Sequence, residues 1–418
     1  MALLFLCLIF GTGRTQKIEA AVQNVPESLE EESRLDTVGT DQKTERAAVR
    51  EKKGQQEKEA GDTETDQAAA AQDELLAELD FDAIQQEVDS LLSSQQFSFA
   101  GTVRSLLQDG DPFRTFRAGN AVLSCAKTAF LAQKGLMKEL FLLVLAGAVL
   151  GSFSSLFEGK QVRDASFYMV YLLALALILK NFQSSGENLK AVITSLVAFM
   201  RILTPSYYLA AAAAGGASSA VMFYQMLLLV ILAVEKLLLA LVLPMIHIYL
   251  LIALVNDLSG EEILSHMTEL LETCVNGLLK SSLGVLVGMQ MIRNLIAPAL
   301  DSLRQMALWR TAGMIPGIGN AVNAVTELVA GSAVLIRNCF GVTAMLVLLA
   351  AGMVPAVQLL VSGLSFRLLA AAAQPVSDKR IAGCLAAAGK GYAMLLRLLL
   401  TVEVLFLLTI AILAGTFS

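Results

Sequence analysis

Charge is scarce in this chain. Only 16% of its 418 residues are Asp, Glu, Lys or Arg, against about a quarter in soluble domains. Histidine is nearly absent, with His247 and His266 the only two. The five cysteines, Cys7, Cys125, Cys274, Cys339 and Cys384, form no CxxC pair. A metal site built from His and Cys therefore has no donors at ligand spacing. The cysteines read as small apolar packing residues. No nucleophile stands beside a base, so neither an enzyme nor a cofactor is expected. The one glycine-rich candidate, "GIGNAV" at Gly317, lacks the third glycine, the preceding strand and the later acid of a dinucleotide loop. Basic residues lie scattered between apolar runs rather than on one face, which speaks against nucleic acid as a partner.

What the chain has instead is apolar surface. It is 56% hydrophobic, with a mean hydropathy of +0.63. These values indicate an all-α, polytopic membrane protein. The charges are segregated as well. Residues 14–112 carry 10 Lys+Arg and 23 Asp+Glu, a net of −13; residues 113–418 carry 21 and 14, a net of +7. An acidic arm thus precedes a basic membrane body.

Residues 1–20, "MALLFLCLIFGTGRTQKIEA", resemble a secretory signal without its basic start. Leu6 is too large for the position before a lipoprotein cysteine at Cys7. The arm, residues 21–100, is polar, acidic and poor in aromatic and β-branched residues, a composition that favours disorder. Within it, 74–92 ("ELLAELDFDAIQQEVDSLL") has apolar residues at helical spacing with acids between. This short amphipathic helix either packs on the chain's own body or docks a partner. Residues 101–139 carry Arg114, Arg117, Lys127, Lys134 and Lys138 between apolar residues, the pattern of a segment lying on a membrane surface.

The polytopic domain is expected over 140–418. Leu140–Phe157 and Ala165–Phe182 are each near the ~20 residues that cross a bilayer. Met226–Leu254 is too long for one straight span and is interrupted at Glu235, Lys236 and Pro244. Ser281–Ile292 is too short alone. Cys339–Val361 and Leu395–Gly415 complete a count of six to eight crossings.

Two stretches break the pattern of plain spans. "RILTPSYYLAAAAAGGASSAV" contains Pro205, Gly215 and Gly216; "RTAGMIPGIGNAVNAVTELVAGSAV" contains Pro316, Gly317 and Gly319. Each follows an arginine and runs into an apolar stretch with a second proline, Pro244 or Pro355. Pro205 to Pro244 is 39 residues, as is Pro316 to Pro355, so the copies are offset by 111. The spacing predicts an internal repeat of broken helices meeting at mid-membrane, since irregular backbone at that depth is tolerated only where protein or a watery cavity buries it. Close helix packing on small residues is the competing explanation.

Seven ionisable residues fall in or beside apolar runs: Glu235, Lys236, Glu327, Arg337, Arg367, Arg397 and Glu403. Most are expected at the interface or snorkelling toward it. Glu235 and Lys236, adjacent and therefore about 100° apart on a helix, would not pair and could mark a loop between spans. Arg337 can meet helix carbonyls, lipid phosphate or Glu327. The last lies about 15 Å away on a continuous helix, so pairing would need a break at Ala330–Ser332.

The segments "LDFDAIQQEVDSL", "TPSYYLAAAAAGGASSAVMFYQ", "LVLPMI", "IPGIGNAV", "SAVLIRNCFGV", "FRLLAAAAQPV" and "LFLLTIAILAGTFS", in that order and spacing, resemble the stage III sporulation protein AE family. The resemblance implies a multi-pass protein of the mother-cell membrane around the forespore, with its arm outside the cytoplasm. It implies a place in a secretion-like channel, or feeding tube, that sustains late forespore development. Its partners would be the other membrane proteins of the stage III sporulation operon, a forespore membrane protein and the bilayer. It carries no catalytic residues. Taken alone, the repeat also fits an autonomous solute transporter.

Overall fold

The structure is a computed structural model that describes residues 80–92, 97–109, 118–154, 160–213, 218–259, 264–312 and 319–415. The signal-like segment and the arm up to residue 79 lie outside the described residues. Every regular element among those described is helical.

Helix α1 spans Phe81–Leu91, a shorter stretch than 74–92, of which 74–79 are not described. Asp80 is its N-cap, accepting from Ala83 N at 3.1 Å. Ile84 and Val88, one turn apart, are fully buried. Helix α2, Phe99–Asp109, starts where Ser98 Oγ accepts from Gly101 N at 3.1 Å. Gln85 ties the two together. Its Nε2 donates to Phe97 O (2.7 Å) and its Oε1 accepts from Phe99 N (2.8 Å).

The long helices follow. They are α3 (Ala118–Ser154), α4 (Lys160–Ala213), α5 (Ser218–Leu237), α6 (Leu243–Ser259), α7 (Ser265–Ala312), α8 (Gly319–Ala373) and α9 (Lys379–Gly415). A π-helical turn, Leu238–Val242, joins α5 to α6 without a loop. It lies immediately before Pro244, which has no N–H and whose ring crowds the carbonyl four residues back; the wider turn accommodates it. The α8–α9 turn is built by Pro375, which disfavours helix at the residue before it. Asp378 then caps α9, its Oδ1 accepting from Arg380 N at 3.0 Å.

Five described segments are long and apolar enough to cross a membrane: Phe167–Tyr207, Leu228–Ser259, Ser265–Ile292, Gly331–Ala373 and Lys379–Ile412. Helix α3 carries the additional run from Leu140. The helix passes through residue 139 without a boundary, so 118–139 forms its first half.

Side-chain contacts fix the directions. Tyr207 of α4 lies beside Phe340 of α8 (6.2 Å between centroids), whereas both Phe182 of α4 and Phe366 of α8 meet Tyr392 of α9. Helix α8 is thus antiparallel to α4 and α9. Arg380 at the start of α9 sits over Phe167 near the start of α4 and donates to Leu258 O at the end of α6 (3.4 Å). Lys390 meets Glu272 and Arg397 meets Asn276, so α7 and α9 are parallel. A Cβ on Gly147 of α3 would touch Val170 and Ile381, which sets the later part of α3 beside the starts of α4 and α9. The bundle therefore has two ends. One gathers Tyr207, Phe340, α1 and α2; the other gathers Phe167, Leu258 and Arg380.

Candidate functional site

Several polar contacts between helices of the body lie on or beside α9. At its first level, Tyr171 OH of α4 donates to Leu254 O of α6 at 2.5 Å. A Cβ on Gly383 would lie 3.1 Å from the Asp257 carboxylate, so α9 passes directly over that side chain. The next level holds Tyr392, fully buried. Asn181 Nδ2 donates to its hydroxyl at 2.7 Å, and Ser185 Oγ lies 3.3 Å from it. Its ring stacks on Phe366 (5.3 Å, 16°) and meets Phe182 edge-on (5.2 Å, 79°). His247 completes the group, edge-on to Phe182 at 5.2 Å, with its Nδ1 2.9 Å from Leu243 O. At the third level, Lys390 Nζ meets Glu272 at 2.5 Å and Arg397 Nη1 donates to Asn276 Oδ1 at 3.1 Å.

Glycines admit these groups. A Cβ would fall 2.5 Å from the His247 ring at Gly186, 2.5 Å from the Glu403 carboxyl at Gly352 and 3.0 Å from the Phe182 ring at Gly391. At Gly389 it would meet Arg367 Cγ at 2.8 Å and Gly363 O at 3.2 Å. Helices α8 and α9 approach here as small-residue interfaces allow. The arrangement holds helices in register by satisfying polar groups inside an apolar bundle. Sequence reading did not identify Tyr392, Asn181, Ser185 or Asp257. The available signal was "GKGY" (Gly389–Tyr392), two glycines beside a tyrosine in an otherwise apolar helix.

Of the residues predicted from sequence, Pro205 is inside α4, which continues to Ala213, and Pro355 is inside α8. Neither interrupts its helix, so the broken-helix expectation does not hold at these two. Among the described residues of this set, Pro244 alone adjoins a departure from α-geometry. Gly319 opens α8. Gly215, Gly216, Pro316 and Gly317 lie outside the described residues, and so does any meeting of the two segments.

Glu235 and Lys236 belong to α5 rather than to a loop, Glu235 buried and Lys236 exposed as their angular separation requires. Glu403 is buried, whereas Arg367 and Arg397 are exposed. Arg337 is 1% exposed, its Nη2 3.5 Å from Asn338 Oδ1. Burial rules out snorkelling to lipid phosphate in this state. Helix α8 has no break at Ala330–Ser332, so Glu327 stays nearly three turns away. Cys384 is buried, Cys339 half-buried and Cys274 exposed.

A family profile described as stage III sporulation protein AE matches residues 97–416. The chain is similar to the stage III sporulation protein AE of Bacillus subtilis (strain 168). They are 22% identical over 291 residues, 69% of this chain and 73% of the relative. No solved structure matches. The profile begins at α2 and reaches the end of α9, covering every described helix but α1; the chain is a multi-pass membrane protein and belongs to the stage III sporulation protein AE family.

Proposed function

We propose that this protein acts in endospore formation as a membrane subunit of a secretion-like channel between mother cell and forespore, with no catalytic role of its own. One observation carries the reading: the family match runs over 97–416, the entire membrane body and not a detachable module. The interior supports it, since the hydroxyls of Tyr171 and Tyr392 and the side chains of Asn181 and Ser185 are engaged in contacts between helices. The autonomous transporter is the weaker reading, because Pro205 and Pro355 lie in unbroken helices. The protein would sit in the mother-cell membrane surrounding the forespore, with its acidic arm outside the cytoplasm. Its partners would be the other membrane proteins encoded by the stage III sporulation operon and a forespore membrane protein.

The test is an in-frame deletion combined with affinity capture of a tagged copy from sporulating cells. Arrest of late forespore gene expression and recovery of the operon's membrane proteins are expected. Normal spore yield in the deletion, or capture of the chain alone at native level, would refute the proposal.

A further inference from the structure

Outside the seam described above, α7 and α9 leave a groove of about 510 Å³ on the outer surface of the body. Its two ends differ. One holds Lys280, Arg397 and Asn276; the other is walled by Leu283, Leu400 and Val404. No carboxylate lines it. The acid nearest along this face, Glu272, is already engaged by Lys390. The two cations therefore face an open groove, and at this charged end Arg397 donates only to the neutral Asn276 among the described residues.

Both walls change character at the same height. On α7, Lys280 and Ser281 are exposed at the charged end of the groove, with Met267 and Leu270 exposed earlier on the helix; beyond the groove Val285, Val287, Met291 and Ile292 are exposed. On α9 the outward stripe at seven-residue spacing reads Lys390, Arg397, Val404, Ala411, with Val404 41% exposed. Because the helices are parallel, the cationic and apolar ends coincide instead of cancelling. An amphiphile with a negative head and an acyl chain matches this division. Basic pockets between membrane helices hold anionic lipid headgroups by the same logic.

We propose that the α7–α9 groove is a binding site for an anionic phospholipid. Its phosphate would lie between Lys280 and Arg397, and one acyl chain would run along Leu283, Leu400 and Val404. This does not depend on the channel reading.

The test uses full-length protein purified in neutral detergent and titrated with phosphatidylglycerol or phosphatidylcholine by native mass spectrometry. The wild type should bind phosphatidylglycerol more tightly. The double variant Lys280→Gln, Arg397→Gln should lose roughly 10- to 30-fold in that affinity and leave phosphatidylcholine unchanged. Lys280→Gln alone, at an exposed position, should lose about 5-fold and serves if the double variant does not elute as a single species. Val404→Trp, which fills the apolar end and keeps both cations, should weaken phosphatidylglycerol as well. Equal binding of the two lipids by the wild type would overturn the proposal. So would unchanged phosphatidylglycerol affinity in the charge variants. A photo-crosslinker at Thr401 that captures another protein's helix in cells, in place of lipid, would assign the groove to a partner and also overturn it.

Discussion

Glycine has opposite meanings at different places in this body. A methyl group added at Gly284 would have nothing within 4 Å, whereas one at Gly389 would meet Arg367 Cγ and the Gly363 carbonyl. Gly284→Ala should be neutral or stabilise by up to about 1 kcal/mol, through lower backbone entropy in the unfolded chain. Gly389→Ala should cost about 1–3 kcal/mol, because one of its obstacles is backbone and α8 must move. Gly352→Ala should be milder, since its obstacle is the far end of the Glu403 side chain, which can rotate. Thermal unfolding of the three variants in one detergent checks the order; a Gly389→Ala melting temperature at or above that of Gly284→Ala would contradict it. At Tyr392 the ring and the hydroxyl separate cleanly. Tyr392→Phe keeps both ring contacts and loses the bonds to Asn181 and Ser185, an expected cost of about 0.6–1.5 kcal/mol. Removing the ring as well, in Tyr392→Ala, should cost about 3–5 kcal/mol.

Among the elements, α1 and α2 decide a question that sequence left open. The amphipathic pattern around Ile84 and Val88 was legible, but a pattern shows a buried face and not what buries it. Here the chain's own body does so, with Phe99 between Phe81 (6.3 Å) and Phe340 (5.0 Å). Phe99→Ala should cost about 3–5 kcal/mol at this contact and loosen α1–α2 without melting α4–α9. Limited trypsin digestion should then cut faster at exposed Arg104, while far-UV circular dichroism changes little. Equal cleavage rates would mean that the contact is dispensable. The helical class, the acidic arm and the positions of most apolar runs were also readable. The continuity of the helices was not. Pro205 and Pro355 pass through because neighbouring helices can compensate for a lost backbone bond, and Glu235–Lys236 sits on a helix that buries one side chain and exposes the other. Hydropathy weighs residues singly and cannot register such compensation.

At the scale of the whole molecule, the alternation of helices converts one labelling result into a topology. The end with Phe340 and Tyr207 also holds α1 and α2, and the first half of α3 with Lys127, Lys134 and Lys138 points toward it. The α8–α9 turn lies at the other end. Two sequence signals therefore oppose each other on one side of the membrane. A signal-like start would export that end, whereas its exposed lysines would hold it in the cytoplasm under the positive-inside rule. The proposed export follows if those lysines rest on anionic lipid headgroups outside. In a background with all five cysteines replaced, Ser90→Cys on the exposed face of α1 and Gln374→Cys in the α8–α9 turn should respond oppositely to an impermeant thiol reagent. Export predicts that Ser90→Cys labels in intact cells and Gln374→Cys only after lysis. The reverse pattern would place the arm in the cytoplasm and the turn outside. Labelling of both positions in intact cells would contradict the placement of α1 and the α8–α9 turn at opposite ends of α8, which follows from Phe81 and Phe99 lying beside Phe340.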